Sequence, residues 1–387
     1  MSDQSPATPQ IGPQTSPSTS QPCASVYPTP PISQATSEAS SPSSPQDIHY
    51  FLNEGLEDAL RRRFKDNGSF SGAVESQRKE MRAGKGRQYM VFSPVSEAQL
   101  AKIEELRDED YKSIRFMYLT QPQTLIAKVM LSKIHGVTMN EFCRMLWEKA
   151  ASIGKGLDRD LMDIGGTTFG GKFTSKEADA AFQPRSSRPG KASWPTLVVE
   201  CGKSEAIRRL RVDAKWWLLN SAGQVNIVLV FSINEESKQI IVEQWEMAPH
   251  EDPADTSSHS EDATMVPKCI STFTVTPVGH QALEPTAVAL AGSIDLDAAT
   301  SANPPEIAVA APTNASEPAA AALDNPPKLA AVAPTDPPKP KILPEGLRLG
   351  FEKVFARKPR KGSAERNLMF TPLELSDWWN EIWPFVE

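Results

Sequence analysis

Within residues 176–215 the chain carries four side chains whose types suit phosphodiester chemistry: Asp179, Glu200, Lys203 and Lys215. Two or three carboxylates converging on a hard divalent cation, beside a lysine that steadies an attacking water or developing charge, make a metal-assisted hydrolytic centre. Asp179 opens the run DAAFQP, and Glu200 closes the apolar run WPTLVVE. If the two runs are neighbouring strands, their carboxylates can project to the same side. Glu177 stands two positions before Asp179 and shares its face in a regular strand. Other roles suit the same residues. Asp179 and Glu200 can be strand-end groups in solvent, or partners of Arg208 or Arg211. Lys203 can be a loop lysine, and the stem of Lys215 can cover the core beside Trp216 and Trp217. Arg208, Arg209 and Arg211 form a strip that suits either phosphates or a solvated helix face. His135 and the RKPRK run at 357–361 are further pointers, the latter to nuclear import or phosphate.

Those residues need elements to hold them. Residues 194–200 read as a strand buried on both faces, and 225–233 as the next central strand. Between them, 204–220 reads as a helix capped by Ser204. Residues 239–245 pair with the second central strand across a polar turn. Upstream, helices are expected at 49–64, at 96–108 with Ser96 as cap, and at 138–153 with Thr138 as cap and Glu141 completing a capping box. Residues 69–90 read as loop, 113–118 is ambiguous, and 123–134 is strand or helix. Residues 161–173 suggest two short strands about a turn, and 177–183 another strand. A strand–helix–strand unit inside a mixed sheet makes the fold class α/β, with a right-handed crossover.

Composition sets the boundaries. Residues 1–48 hold ten prolines and no lysine or arginine, and 251–342 run from acidic to Ala/Pro-rich. Neither can bury enough apolar surface to offset its ordering entropy, so both are expected to be disordered. The foldable parts are then 49–250 and a C-terminal segment, 343–387, that packs back on it and in which Thr371 can cap a helix. Residues 49–250 carry 30 Lys+Arg against 26 Asp+Glu, and 343–387 carry seven of each. The overall charge of −7 therefore belongs to the tail and insert, and does not argue against a polyanionic partner.

The four cysteines show no CxxC or CxH spacing, so neither a zinc site nor a disulfide framework is indicated. No P-loop, GxSxG, HExxH or EF-hand pattern is present. With no leader-like N-terminus and no apolar run of eighteen residues, the expectation is an intracellular protein, nuclear or cytoplasmic, with no membrane segment.

An aspartate before a variable loop, then an apolar strand ending in glutamate, resembles the PD-(D/E)XK nuclease-like superfamily. The phrases SKEAD, WPTLVVECGKSE, LRVDAKWWLLNS and IIVEQWE, closed by FEKVF, FTPLEL and IW, are similar to a fungal branch of it. They span about half the chain. The resemblance implies a restriction-endonuclease-like mixed central sheet flanked by helices, and Mg²⁺ (or Mn²⁺) held by Asp179 and Glu200. It implies a lysine assisting water attack, supplied by Lys203 or Lys215, and a nucleic-acid substrate. Two departures stand out: Gly202 occupies the position of the motif's lysine, and Ala178 that of its proline. Two readings follow: a divalent-metal-dependent nuclease, or a catalytically degenerate fold that binds nucleic acid or protein. Gly202 favours the second.

Overall fold

The computed structural model describes residues 45–130, 132–250, 264–276, 279–282 and 346–385. In chain order they form α1 (Pro45–Asn53), β1 (Leu60–Arg63), α2 (Asn67–Arg82), β2 (Tyr89–Ser93), α3 (Glu97–Asp110), β3 (Ile114–Leu119), β4 (Thr124–Val129) and α4 (Lys133–Ile153). Next come α5 (Leu157–Asp160), β5 (Leu161–Asp163), β6 (Thr168–Gly170), β7 (Thr174–Glu177), β8 (Ala180–Pro184), β9 (Leu197–Lys203), α6 (Ile207–Asn220), β10 (Ile227–Asn234) and β11 (Gln239–Pro249). The chain closes with β12 (Met265–Thr276), β13 (Gly279–Ala282), β14 (Leu347–Leu349), α7 (Phe351–Phe355), β15 (Leu368–Phe370) and α8 (Pro372–Ile382).

The architecture is α/β, with mixed sheets flanked by helices. One sheet runs β1-β2-β4-β3-β7-β6, the other β13-β12-β11-β10-β9-β8-β5. β9 and β10 are parallel and joined through α6, whereas β8 and β9 are antiparallel. Alternation along the strands sorts the core into three clusters. Phe92, Phe116 and Leu125 meet Phe70 and Val74 of α2 and Ile103 of α3. The opposite face of that sheet, through Val91, Met117 and Ile126, meets Trp216 and Trp217 of α6 and Val198 and Val230 of the second sheet. The far face of the second sheet, through Val199 and Phe231, packs on Phe142 of α4 and Trp378 of α8. α6 thus packs in the same cluster as facing residues of both sheets.

Several boundaries differ from the sequence reading, each for a physical reason. Residues 69–90 are not loop. α2 forms there because Phe70, Val74, Gln77 and Met81 bury one helical face, and Asp66 and Ser69 close a capping box. The helix expected at 49–64 ends at Asn53, and 60–63 pairs with β2. α4 begins five residues before Thr138, at Lys133, capped by Ser132. α3 and α8 start where expected, on Ser96 and Thr371, both with capping boxes. Within the stretch expected to be disordered, β12 pairs along β11, from Ile240↔Val275 to Pro249↔Met265. The VPKCISTFTVT run has β-branched residues throughout, a signal that averaging over a proline- and acid-rich window concealed. Residues 1–44, 251–263, 277–278 and 283–342 of the expected disordered regions lie outside the described residues. No helix among the described residues is long and apolar enough to cross a membrane.

Candidate functional site: a buried cluster of carboxylates and cations

β7 and β8 belong to different sheets, and the chain crosses between them at residues 178–179. The crossing breaks strand alternation, so Glu177 and Asp179 do not share a site. Glu177 accepts from Arg107 Nη1 at 2.6 Å, Phe116 N at 3.0 Å and Thr168 Oγ1 at 3.0 Å, a wholly structural set of partners.

Asp179 and Glu200, in contrast, do meet. Lys128 Nζ on β4 lies 2.6 Å from Asp179 Oδ2 and 3.0 Å from Glu200 Oε2. The backbone N–H of Cys201 donates to Asp179 Oδ2 at 2.7 Å. The second Glu200 oxygen accepts from Trp217 Nε1 at 2.8 Å and lies 3.1 Å from Lys176 Nζ of β7. Lys176 continues to Asp213 Oδ2 of α6 at 3.4 Å, and Tyr89 Oη donates to the same oxygen at 3.2 Å. Arg209 Nε stands 3.2 Å from Asp213 Oδ1 without hydrogen-bond alignment, while its Nη1 donates to Phe51 O at 2.6 Å. Three carboxylates thus face three cations drawn from both sheets and α6. The side chains of Asp179 and Glu200 are 0% exposed, and that of Lys128 3%.

Desolvation disfavours every charge in this cluster, so each must be held by its neighbours. Burial pushes the Asp179 carboxyl upward, but the Lys128 ammonium and His135 outweigh it and hold the group well below the usual carboxylate range. Asp213 is lowered against its own burial by Lys176, Arg209 and Lys128. The Lys128 ammonium is correspondingly held well above the ordinary lysine value: burial opposes its charge, and Asp179 leads the groups that favour it. His135 Nε2 lies 3.5 Å from Asp179 Oδ2. Burial lowers its affinity for a proton, yet Cys201 and Asp179 together raise its pKa to about 10. Four buried polar atoms of the cluster keep no hydrogen-bond partner: Asp179 Oδ1, His135 Nε2, Arg209 Nε and Asp213 Oδ1.

The lysines expected from sequence lie elsewhere. Lys203 reaches only Glu235, at 3.9 Å, because strand β9 carries it past the cluster toward a rim. Lys215 donates to Tyr50 Oη at 3.1 Å and lies over the Tyr50 and Trp245 rings. Neither is brought to Asp179 or Glu200, and Lys128 and Lys176 stand there instead. The strip on α6 is also committed, with Arg208 on Glu54 at 2.7 Å, Arg211 on Glu243 at 2.5 Å and Arg209 fully buried. Position 202, where the resembled motif carries its lysine, is crowded by two side-chain ends. A Cβ on Gly202 would come within 2.6 Å of Gln88 Oε1 and 3.3 Å of both Leu210 methyls. Gln88, His135, Gly202 and Lys203 line a narrow cleft with about 10 Å³ of space, enough for about one water.

Sequence reasoning missed Lys128, Lys176, Asp213 and Tyr89. Lys128 interrupts the apolar run LIAKV, and Asp213 falls between Leu210 and Trp217 on the apolar face of α6. A charge on a buried face is the signal that could have found both.

The donor set does not fit a hard divalent cation. Oxygen ligands must approach to about 2.0–2.6 Å, and Lys128 already bridges the two carboxylates that would supply them. No group of three or more candidate metal-ligating side chains exists among the described residues.

No family model and no curated protein matches the chain. Among solved structures, a "putative nuclease belonging to DUF820" from Anabaena variabilis aligns with 12% identity over 36% of this chain and 82% of that one, at a TM-score of 0.25. A likeness that slight carries no functional argument.

Proposed function

We propose that this protein is a PD-(D/E)XK-type fold, of the fungal branch its sequence phrases resemble, that has lost hydrolysis and serves as a nucleic-acid-binding module. The observation that carries this reading is the Lys128 ammonium between Asp179 and Glu200, with both carboxylate side chains fully buried. A hydrolytic centre needs open carboxylates and a cleft that admits a phosphodiester. Here the carboxylates are neutralised internally, and the adjoining cleft holds about one water. Gln88 stands where a lysine at position 202 would go. The charge balance of 49–250, 30 Lys+Arg against 26 Asp+Glu, is compatible with a polyanionic partner.

A second reading, a Mg²⁺- or Mn²⁺-dependent nuclease using Asp179 and Glu200, is favoured by one observation: Asp179 Oδ1 is buried without a partner. The deciding experiment incubates purified full-length protein with duplex and single-stranded DNA and RNA in Mg²⁺ or Mn²⁺. The proposal expects binding without cleavage. Cleavage that disappears in both Asp179→Ala and Glu200→Ala overturns it in favour of the nuclease.

A further inference from the structure

Two basic stretches about 170 residues apart in sequence form one surface in the fold. The β8–β9 connection, residues 185–196, and the segment after α7, residues 356–366, are joined by Ser187 Oγ, which donates to Phe355 O at 2.7 Å. Asp160 of α5 ties down the same connection. Its carbonyl accepts from Arg185 N at 2.8 Å, and its carboxylate accepts from Ser186 N and Oγ at 2.7 and 2.8 Å. Glu365 anchors the other segment by a two-pronged pair with Arg357 at 2.8 Å, and its Cγ lies 3.4 Å from an ideal Cβ on Gly154, before α5. The acids of this surface are thereby spent on internal contacts. Arg159, Arg185, Lys358, Lys361 and Arg366 are exposed, and none has a carboxylate within ion-pair distance among the described residues.

We infer that this face is where duplex nucleic acid binds, through its phosphates. The inference rests on the nucleic-acid-binding reading and adds the location. Four exposed cations without a carboxylate partner on two tethered loops, with Arg159 on the adjoining α5, give the face the positive charge that a phosphate backbone attracts. Single-strand binding would call for exposed aromatic platforms, and a membrane surface for exposed apolar side chains. The exposed large apolar residues among those described are Met265, Ile270 and Leu373, none of them on these loops. The face lies at the Thr196 end of β9, where Thr196 Oγ1 donates to Val354 O at 2.6 Å. Gly202, beside the narrow cleft, is six residues further along that strand, about 20 Å away. Glu200 is nearer, four residues along at about 13 Å, so it is burial that keeps a duplex held here from the carboxylates.

The test measures the affinity of the full chain for a non-specific DNA duplex across a salt series. R185Q/K358Q/K361Q is compared with R61Q/R62Q/R63Q, which removes equal charge from the exposed arginines of β1. The expected result is a loss of about tenfold or more at low salt for the first variant, with the salt slope reduced by about 3. The β1 variant should change little. Equal losses in the two variants, or unchanged binding by the first, overturn the location while leaving the binding reading intact. No duplex binding by the wild type overturns both. Vesicles of anionic phospholipid, run in parallel, should not bind. Vesicle binding that falls with the same substitutions would assign the face to a membrane surface instead.

Discussion

Lys128 Nζ on β4 lies 3.0 Å from Glu200 Oε2 on β9, although the two residues stand 72 positions apart and are held by different sheets. The pair fastens one sheet to the other through a charge contact out of reach of water. Its energetics differ from those of a surface ion pair. Both ions have lost their hydration, and only their mutual attraction and the surrounding donors offset that loss.

Removing the cation should therefore be severe. Lys128→Met leaves Asp179 and Glu200 short of their shared partner, and a cost of about 3–5 kcal/mol is expected. Urea unfolding read by tryptophan fluorescence measures it. Lys215→Met, which loses a Tyr50 contact at a half-buried position, should cost about 1 kcal/mol or less. Equal costs would sink the view that Lys128 has the special place.

The cluster also makes stability depend on pH in two windows. Asp179 and Asp213 are lowered in the folded state, so their contribution is present above the unfolded carboxylate value of about 3.9 and lost as pH falls below it. His135 is raised to about 10, so its contribution is full below about 6.5 and lost as pH climbs from there to about 10. Unfolding midpoints across the pH range should fall at both ends. His135→Gln should flatten the alkaline limb and also weaken the acid limb, because Asp179 loses one of the groups that hold it low.

Divalent metal should leave the fold indifferent. A cation bound at a hundred times its dissociation constant would stabilise the protein by about 2.7 kcal/mol. With Lys128 between the two carboxylates, Mg²⁺ or Mn²⁺ is expected to leave the melting temperature unchanged. A metal-dependent rise that vanishes in Asp179→Asn would contradict this.

Restoring the motif's lysine should not restore hydrolysis. Gly202→Lys drives a side chain into Gln88 and Leu210, and overpacking of that kind costs about 1–3 kcal/mol. Pairing it with Gln88→Ala should recover part of the loss. Metal-dependent cleavage by the double variant would show that the lysine alone was lacking.

Much of the fold was legible because its signals are local. The apolar run ending in Glu200, the Ser96 and Thr371 caps and the strand–helix–strand order around α6 each lie within a dozen or so residues. α2 was illegible because its exposed face is so polar that only Phe70, Val74 and Met81 mark the buried stripe. β12 was hidden by the composition of its flanks. At the site, Glu200 could be read from its strand, whereas Asp179 falls where the chain crosses between the sheets, and the cations that meet both could not be read. Lys203 and Lys215 are near Glu200 in sequence, whereas Lys128 and Lys176 are near it only across the space between the sheets.

The sequence alone determined the α/β class, the strand that carries Glu200, and the absence of a lysine at position 202. Hydrophobic periodicity and residue identity are properties of the chain itself. The tertiary structure alone decided which cations meet those carboxylates, that the meeting place is sealed from water, and that two distant basic loops share a face. Each depends on the packing of elements far apart in the chain, and burial and charge pairing are set by that packing.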